Sequence, residues 1–346
     1  MNTSRAKGTT KLCFVASARQ SGSVAVFLLI VLLPRASAYS PEDDLPPDTS
    51  AARATLAQLG PRFGARYTPH FTLLSDADAA RTEPLGDLAE QTWLRVNTFA
   101  MRLGLATHPP AKKLLVIFFD AWEDYERFLR PDGFVISPNV PGFFDQFANR
   151  CVMFNAAGGP LIRDKRRELT ESGRESPSST SRAHLDDAQR RVTDHERLIN
   201  DTVIRHELAH LVLYNIGVQT AAMRDRRWLQ EGLAMQFEAA EPVNSYRAAD
   251  FLAIDPDKTV ALCRSVIADP RPLAPGAQTS TEAYAAAWAI VFYVSSELPR
   301  EFATYLTTPA LPREREISHF EKTFGSVDAS FVERSRKTIA AARAAR

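Results

Sequence analysis

Five residues constrain this chain more than any others: His206-Glu207-Leu208-Ala209-His210. On a helix, two histidines four positions apart project from one face, so both imidazoles can reach the same metal ion. The glutamate after the first histidine then stands beside the water that such an ion would hold. The surroundings favour a helix. Val203, Ile204, Leu208, Leu211, Val212 and Ile216 give it an apolar side, Asn200 or Asp201 can cap its start, and Gly217 is a natural terminator. The competing reading is a surface glutamate between two satisfied core histidines, and a third ligand downstream would decide against it.

A catalytic zinc takes three protein ligands and keeps one position for water, whose pKa it lowers to near neutrality. Glu231 is the best third ligand. It follows His210 after a helix-turn-helix length of chain and opens the helix expected from Trp228 to Glu238. Glu238 is the competitor, but two turns further along that helix it suits a contact to a histidine N–H or to a substrate amine better than ligation. Glu207 would be the general base of a water attack on a polarised carbonyl. Tyr284, at the start of a later helix, could donate to the developing oxyanion. A core or cap tyrosine explains it equally well, and Tyr214, Tyr246 and Tyr293 stay open. No Gly-x-Ser-x-Gly elbow occurs, and the cysteines carry no motif.

The N-terminus carries a different signal. Arg5, Lys7, Lys11 and Arg19 lead into the apolar run 24–33, and Ala36-Ser37-Ala38 follows as a small-x-small cleavage site. Residues 1–38 are therefore expected to be a signal peptide, placing the mature chain in the periplasm or outside the cell. A retained anchor through 24–33 is the lesser reading, because the run is short for a bilayer. Cys13 would leave with that segment. Cys151 and Cys263 remain, either as a disulfide or as two buried thiols. With 42 Lys+Arg against 41 Asp+Glu, the chain has no nucleic-acid footprint.

Residues 39–65 are acidic and proline-rich at their start and read as a linker, with the domain proper spanning 66–346. Tyr67, Phe71 and Leu73 alternate as one edge strand interrupted by Pro69, with His70 pointing away as a solvated or packing residue. A core helix follows, capped by Asp76 or Asp78, with a break possible at Pro84 to Gly86. Lys113 to Phe119 is a central strand and Arg150 to Asn155 a further one. The charge-dense stretch 163–197, with few apolar residues, reads as a flexible insertion containing solvated His184 and His195. Beyond Glu238 the chain is helical: 245–254, 258–268, 283–298 and the tail from Val327.

The zinc motif and the downstream Trp228-Leu229-Gln230-Glu231-Gly232-Leu233-Ala234 together resemble the gluzincin metallopeptidases of the thermolysin-like clan. The chain looks closer still to a family of exported bacterial gluzincin-like proteins known only as a domain of unknown function. Pro141-Gly142-Phe143-Phe144-Asp145, Asn149-Arg150-Cys151-Val152 and Tyr284-Ala285-Ala286-Ala287-Trp288 are similar to segments of that family, although Phe144 stands where tyrosine is more usual. The resemblance implies an α+β, thermolysin-like zincin, with an N-terminal mixed β-sheet lobe, a mainly helical C-terminal lobe and Zn2+ in the cleft between them. It also implies an edge strand near Cys151 to Asn155 that holds an extended peptide or protein substrate. The expected function is an exported zinc metallopeptidase. The alternatives are a non-catalytic binding or scaffold protein that keeps the fold, and hydrolysis of a bond other than a peptide.

Overall fold

The sheet is built from short apolar runs whose two faces bury different partners. In a computed structural model, the chain is described over residues 44–345, apart from 133–136, 139, 176–178, 221–222, 224–225, 270, 274–280 and 310. The expected signal peptide and the run 24–33 lie outside the described residues. Strands β1 (Gly64–Tyr67), β2 (Phe71–Ser75), β3 (Leu114–Phe119), β4 (Gly142–Asp145) and β5 (Arg150–Phe154) form one five-stranded sheet in the order β1-β2-β3-β5-β4. The inner pairs β2/β3 and β3/β5 are parallel, and the outer pairs β1/β2 and β4/β5 are antiparallel. The protein is thus a mixed α+β structure in which helices predominate.

Side chains alternate across each strand. Phe71, Leu73, Val116, Phe118, Cys151 and Met153 face the main core. Ile117, Phe119, Val152 and Phe154 face a smaller one with Phe63 and the helix α3 (Trp122–Leu129). Helix α2 (Ala79–Arg102) packs on the main-core face, capped by Asp78, whose carboxylate accepts from the Arg81 N–H. Pro84 does not break α2. Leu85, Leu88, Ala89, Trp93 and Val96 keep the helix on the core.

Several expectations need correction. Tyr67 to Leu73 is a hairpin of two strands, because Thr68 turns the chain: its hydroxyl accepts from the Phe71 N–H, and its own N–H donates to the Phe71 carbonyl. Only β1 lies at the edge, and β2 is internal. His70 is a packing residue, stacked on Trp93 at 4.2 Å between ring centroids, with Nδ1 2.6 Å from Glu90. The stretch expected to be a linker is docked from Asp44 onward. Leu45 is buried in the core, the Lys113 N–H donates to the Pro46 carbonyl, and α1 (Thr49–Leu59) is capped by Asp48.

The expected flexible insertion is helical over its described residues: α4 (Pro160–Glu175), then the start of the 37-residue α5 (Ser179–Asn215). Its charged residues form ion pairs along and between the helices. Asp164–Arg167 and Lys165–Glu168 pair within α4, Asp187–Arg191 pairs within α5, and Arg166–Glu196 pairs between them. His184 and His195 are exposed, as expected.

The C-terminal helices are α6 (Arg227–Ala234), α7 (Ser245–Ala253), α8 (Pro256–Ala268), α9 (Thr281–Glu297), α10 (Pro299–Thr307), α11 (Arg313–Phe324) and α12 (Ala329–Ala344). The alanine-rich α9 is the hub against which α6, α7, α8, α10 and α12 pack. No helix of the described residues is long and apolar enough to cross a membrane.

Candidate metal centre

Helix α5 carries both histidines, and its position is set before they arrive. Asn200 is no cap, since it lies well inside the helix. Its side-chain oxygen accepts from the Ala156 N–H, and its amide donates to Asn155, pinning α5 to the end of β5. Further along, Val203 meets Gly142 of β4, where an added Cβ would lie 3.3 Å from its Cγ1 and 2.5 Å from Met153 Cγ. Phe144, also on β4, faces the second histidine, with its ring 6.5 Å from His210 and 5.5 Å from Tyr214 between centroids. The helix ends at Asn215, and Gly217 turns the chain with a φ of 84°.

Helix α6 then brings Glu231 to the histidines. Glu231 Oε2 lies 3.2 Å from His206 Nε2 and 3.8 Å from His210 Nε2, and the two Nε2 atoms are 3.2 Å apart. Donor atoms around a four-coordinate zinc with bonds of about 2.0–2.2 Å are separated by about 3.3–3.6 Å. The three side chains therefore fit a metal ion, and they are the one group of metal-ligating type among the described residues. His206, His210 and Glu231 are the residues singled out from the sequence.

Each histidine is held by its other nitrogen. His206 Nδ1 lies 3.0 Å from Glu238 Oε1, and His210 Nδ1 lies 3.1 Å from the side-chain oxygen of Gln219. With Nδ1 of each ring taken up by an acceptor, Nε2 is the nitrogen that each ring turns toward the other donors and could offer a metal on losing its proton. Glu238 makes the histidine contact expected of it, but from a different place. Helix α6 stops at Ala234, and Glu238 sits in the irregular segment beyond. Its carboxylate also accepts from Asn244 Nδ2 at 2.8 Å and from Arg247 Nε and Nη2, both at 2.9 Å. Glu231 keeps its second oxygen 2.9 Å from Arg227.

Opposite charges converge at the site. Burial opposes a charge on His206, but hydrogen bonds to Glu231 and Glu238 outweigh it and raise its pKa to about 10. Burial likewise opposes charge on Glu238, yet Arg247 and His206 hold it down to about 2. Glu231 is held well below the usual carboxylate range by the two histidines, against its burial. Glu207 is half-buried on the same helix, and its charge reaches both His206 and Tyr284.

Tyr284 is half-buried on α9. Its phenol is raised to about 12 by burial and then by the Glu231 charge, and Arg247 lies 5.6 Å from its ring centroid. The other tyrosines divide. Tyr293 accepts a hydrogen bond from Arg334, Tyr246 is largely exposed, and Tyr214 packs on Phe144.

Glycine explains why the Trp-Leu-Gln-Glu-Gly segment meets α9 so closely. A Cβ on Gly232 would lie 2.5 Å from Val291 Cγ2 and 2.7 Å from the Ala287 carbonyl oxygen. The residue after the third donor is thus the one that lets α6 rest on the helix bearing Tyr284.

Cys151 and Cys263 are separate buried thiols. Cys151 donates to the backbone carbonyl of Glu207 at 3.1 Å. The strand expected at the edge is also not there. Cys151 to Phe154 lies inside the sheet, between β3 and β4, and β4 is the edge. Gln219, Asn244 and Arg247 were missed from the sequence. Gln219 had a faint signal as a polar residue just past the helix-ending Gly217, and Asn244 had one as the cap of α7.

The class so defined is an α+β protein with a two-histidine, one-glutamate metal-type site carried on two helices. The family described as "Protein of unknown function (DUF1570)" matches residues 200–312, which hold all three donors, Glu207 and Tyr284 but none of the sheet. No curated protein matches the chain.

Proposed function

We propose that this protein is an exported zinc metallopeptidase of the gluzincin type, with the zinc in a thermolysin-like cleft between the sheet and the C-terminal helices. The observation that supports it most is the convergence of His206 Nε2, His210 Nε2 and Glu231 Oε2 at 3.2 to 3.8 Å, with Glu207 on the same helix. His206, His210 and Glu231 would hold the zinc, which when bound would supply Lewis acidity toward a carbonyl and a water. Glu207 takes the proton of the attacking water and returns it to the leaving amine. Tyr284, half-buried on α9, would donate its phenol proton in a hydrogen bond to the oxyanion. Glu238 and Gln219 hold the histidine rings in place throughout.

The substrate main chain would lie along β4. The Phe154 N–H donates to the Pro141 carbonyl, so by antiparallel alternation Gly142 and Phe144 turn their N–H and C=O groups away from β5. These groups can take up an extended peptide with little sequence preference, and Phe144 brings it past His210.

Metal analysis of the purified mature protein should return about one zinc per chain. Glu207→Gln should keep that zinc and lose hydrolysis of a peptide library by about 10²–10⁴-fold. Undiminished cleavage by the variant removes the mechanism. A protein that stays zinc-free after reconstitution removes the enzyme and leaves the scaffold reading.

A further inference from the structure

The loop after α6 has a task that its own backbone does not explain. Residues 236–241 form neither helix nor strand, yet they hold Glu238 in place against His206. Such a loop leaves carbonyls that need donors. One side chain supplies them. Arg95, half-buried on α2, donates from Nη1 to the carbonyls of Phe237 at 3.2 Å and of Ala239, and from Nη2 to those of Gln236 at 3.5 Å and Glu241 at 3.2 Å. Its guanidinium also lies 5.8 Å from the Phe237 ring centroid, and that ring packs edge-on against Phe99 of α2.

We infer that Arg95 is a positioning residue of the metal centre, which sets the loop 236–241 so that Glu238 meets His206. A planar fork with five N–H groups can serve four carbonyls that diverge along a bend, and an ammonium cannot reproduce that geometry. Arg95 touches neither the three metal-type donors nor Glu207 through any of these contacts. It acts through Glu238, whose carboxylate also accepts from Arg247 and Asn244. The helix under the sheet thereby sets the orientation of a histidine on α5 through a segment that belongs to neither.

The inference rests on the metal reading of the site but not on peptidase activity, so zinc affinity is the measurement. Competition with a chromogenic chelator would be run on wild type, Arg95→Gln, Glu238→Gln and the double variant. Loss of a partner that orients a metal-binding histidine weakens affinity by about 10–100-fold. Glu238→Gln should fall in that range, and Arg95→Gln should weaken zinc by about tenfold. The decisive result is the double variant, in which Arg95→Gln should add less than about threefold, because the group it positions is already gone.

Should Arg95→Gln fold poorly, Arg95→Lys keeps the charge and should still weaken zinc, with added guanidinium ion restoring part of the affinity to Arg95→Ala. Zinc affinity within about twofold of wild type in Arg95→Gln overturns the inference, as does a full tenfold loss on top of Glu238→Gln. A wild-type protein that takes up no zinc overturns the metal reading itself, and is told apart by the first measurement.

Discussion

Replacing Gly232 by alanine sets two physical effects against each other with opposite signs. Gly232 lies within α6, and alanine in a helix interior is favoured over glycine by about 1 kcal/mol. Helix propensity alone therefore says that the variant is more stable. The packing says otherwise. The new methyl would sit 2.5 Å from Val291 Cγ2 and 2.7 Å from the Ala287 carbonyl oxygen. Val291 can rotate or shift, whereas the carbonyl belongs to the backbone of α9 and moves only with the helix.

Overpacking of this kind costs about 1–3 kcal/mol, and a backbone obstacle puts it at the upper end. The net expectation is a loss of about 2 kcal/mol, which lowers the melting temperature by about 4 °C in a domain of this size. Denaturant unfolding of the metal-free protein measures it directly. Val291→Ala should soften the effect without removing it, because it clears only one of the two contacts. Since Glu231 precedes Gly232 and Tyr284 lies one turn before Ala287, zinc affinity should weaken as well. A Gly232→Ala variant as stable as wild type, or more so, would show that α6 does not rest on α9 as described, and the argument for the Glu-Gly pair would fail.

Two other outcomes follow from burial and charge. In the metal-free protein His206 has a pKa of about 10 against an ordinary 6.5, so its contribution to stability is fully present below pH 6.5 and lost as pH rises through about 10. Melting temperatures of chelator-treated protein should therefore decline across that window, and less steeply in Glu238→Gln; a flat profile in wild type refutes the charged histidine. Cys151 and Cys263 are buried, with thiol pKa values pushed up first by burial, so a thiol reagent should leave the folded mature protein untouched. Both thiols should label on unfolding without reductant, and a failure of either to react would mean that they pair.

The sequence by itself determined the inner part of the site. His206, Glu207 and His210 are related by the period of one helix, and that period is a property of the backbone wherever the helix lies. Glu231 was legible for a similar reason, since a short connection between two helices leaves few places for the second one to start. The central strand β3 was legible as an apolar run, and α9 as a helix from its apolar spacing, though not as the hub of the C-terminal helices.

Only the tertiary structure decided what surrounds them. Glu238 was expected on the helix of Glu231 and lies instead in a loop, where the nearby Asn244 and Arg247 bind its carboxylate and the distant Arg95 binds the loop carbonyls around it. The stretch 163–197 looked unstructured because its apolar residues are few, yet its described residues are helical, with ion pairs within and between α4 and α5. β5 looked like an edge strand until β4 paired along it. Spacing along one element is fixed by local geometry, but a partner across elements depends on which surfaces pack together. That choice is made by the whole core, and so the donors and the Glu238 contact could be read from the sequence while Gln219, Arg247 and Arg95 could not.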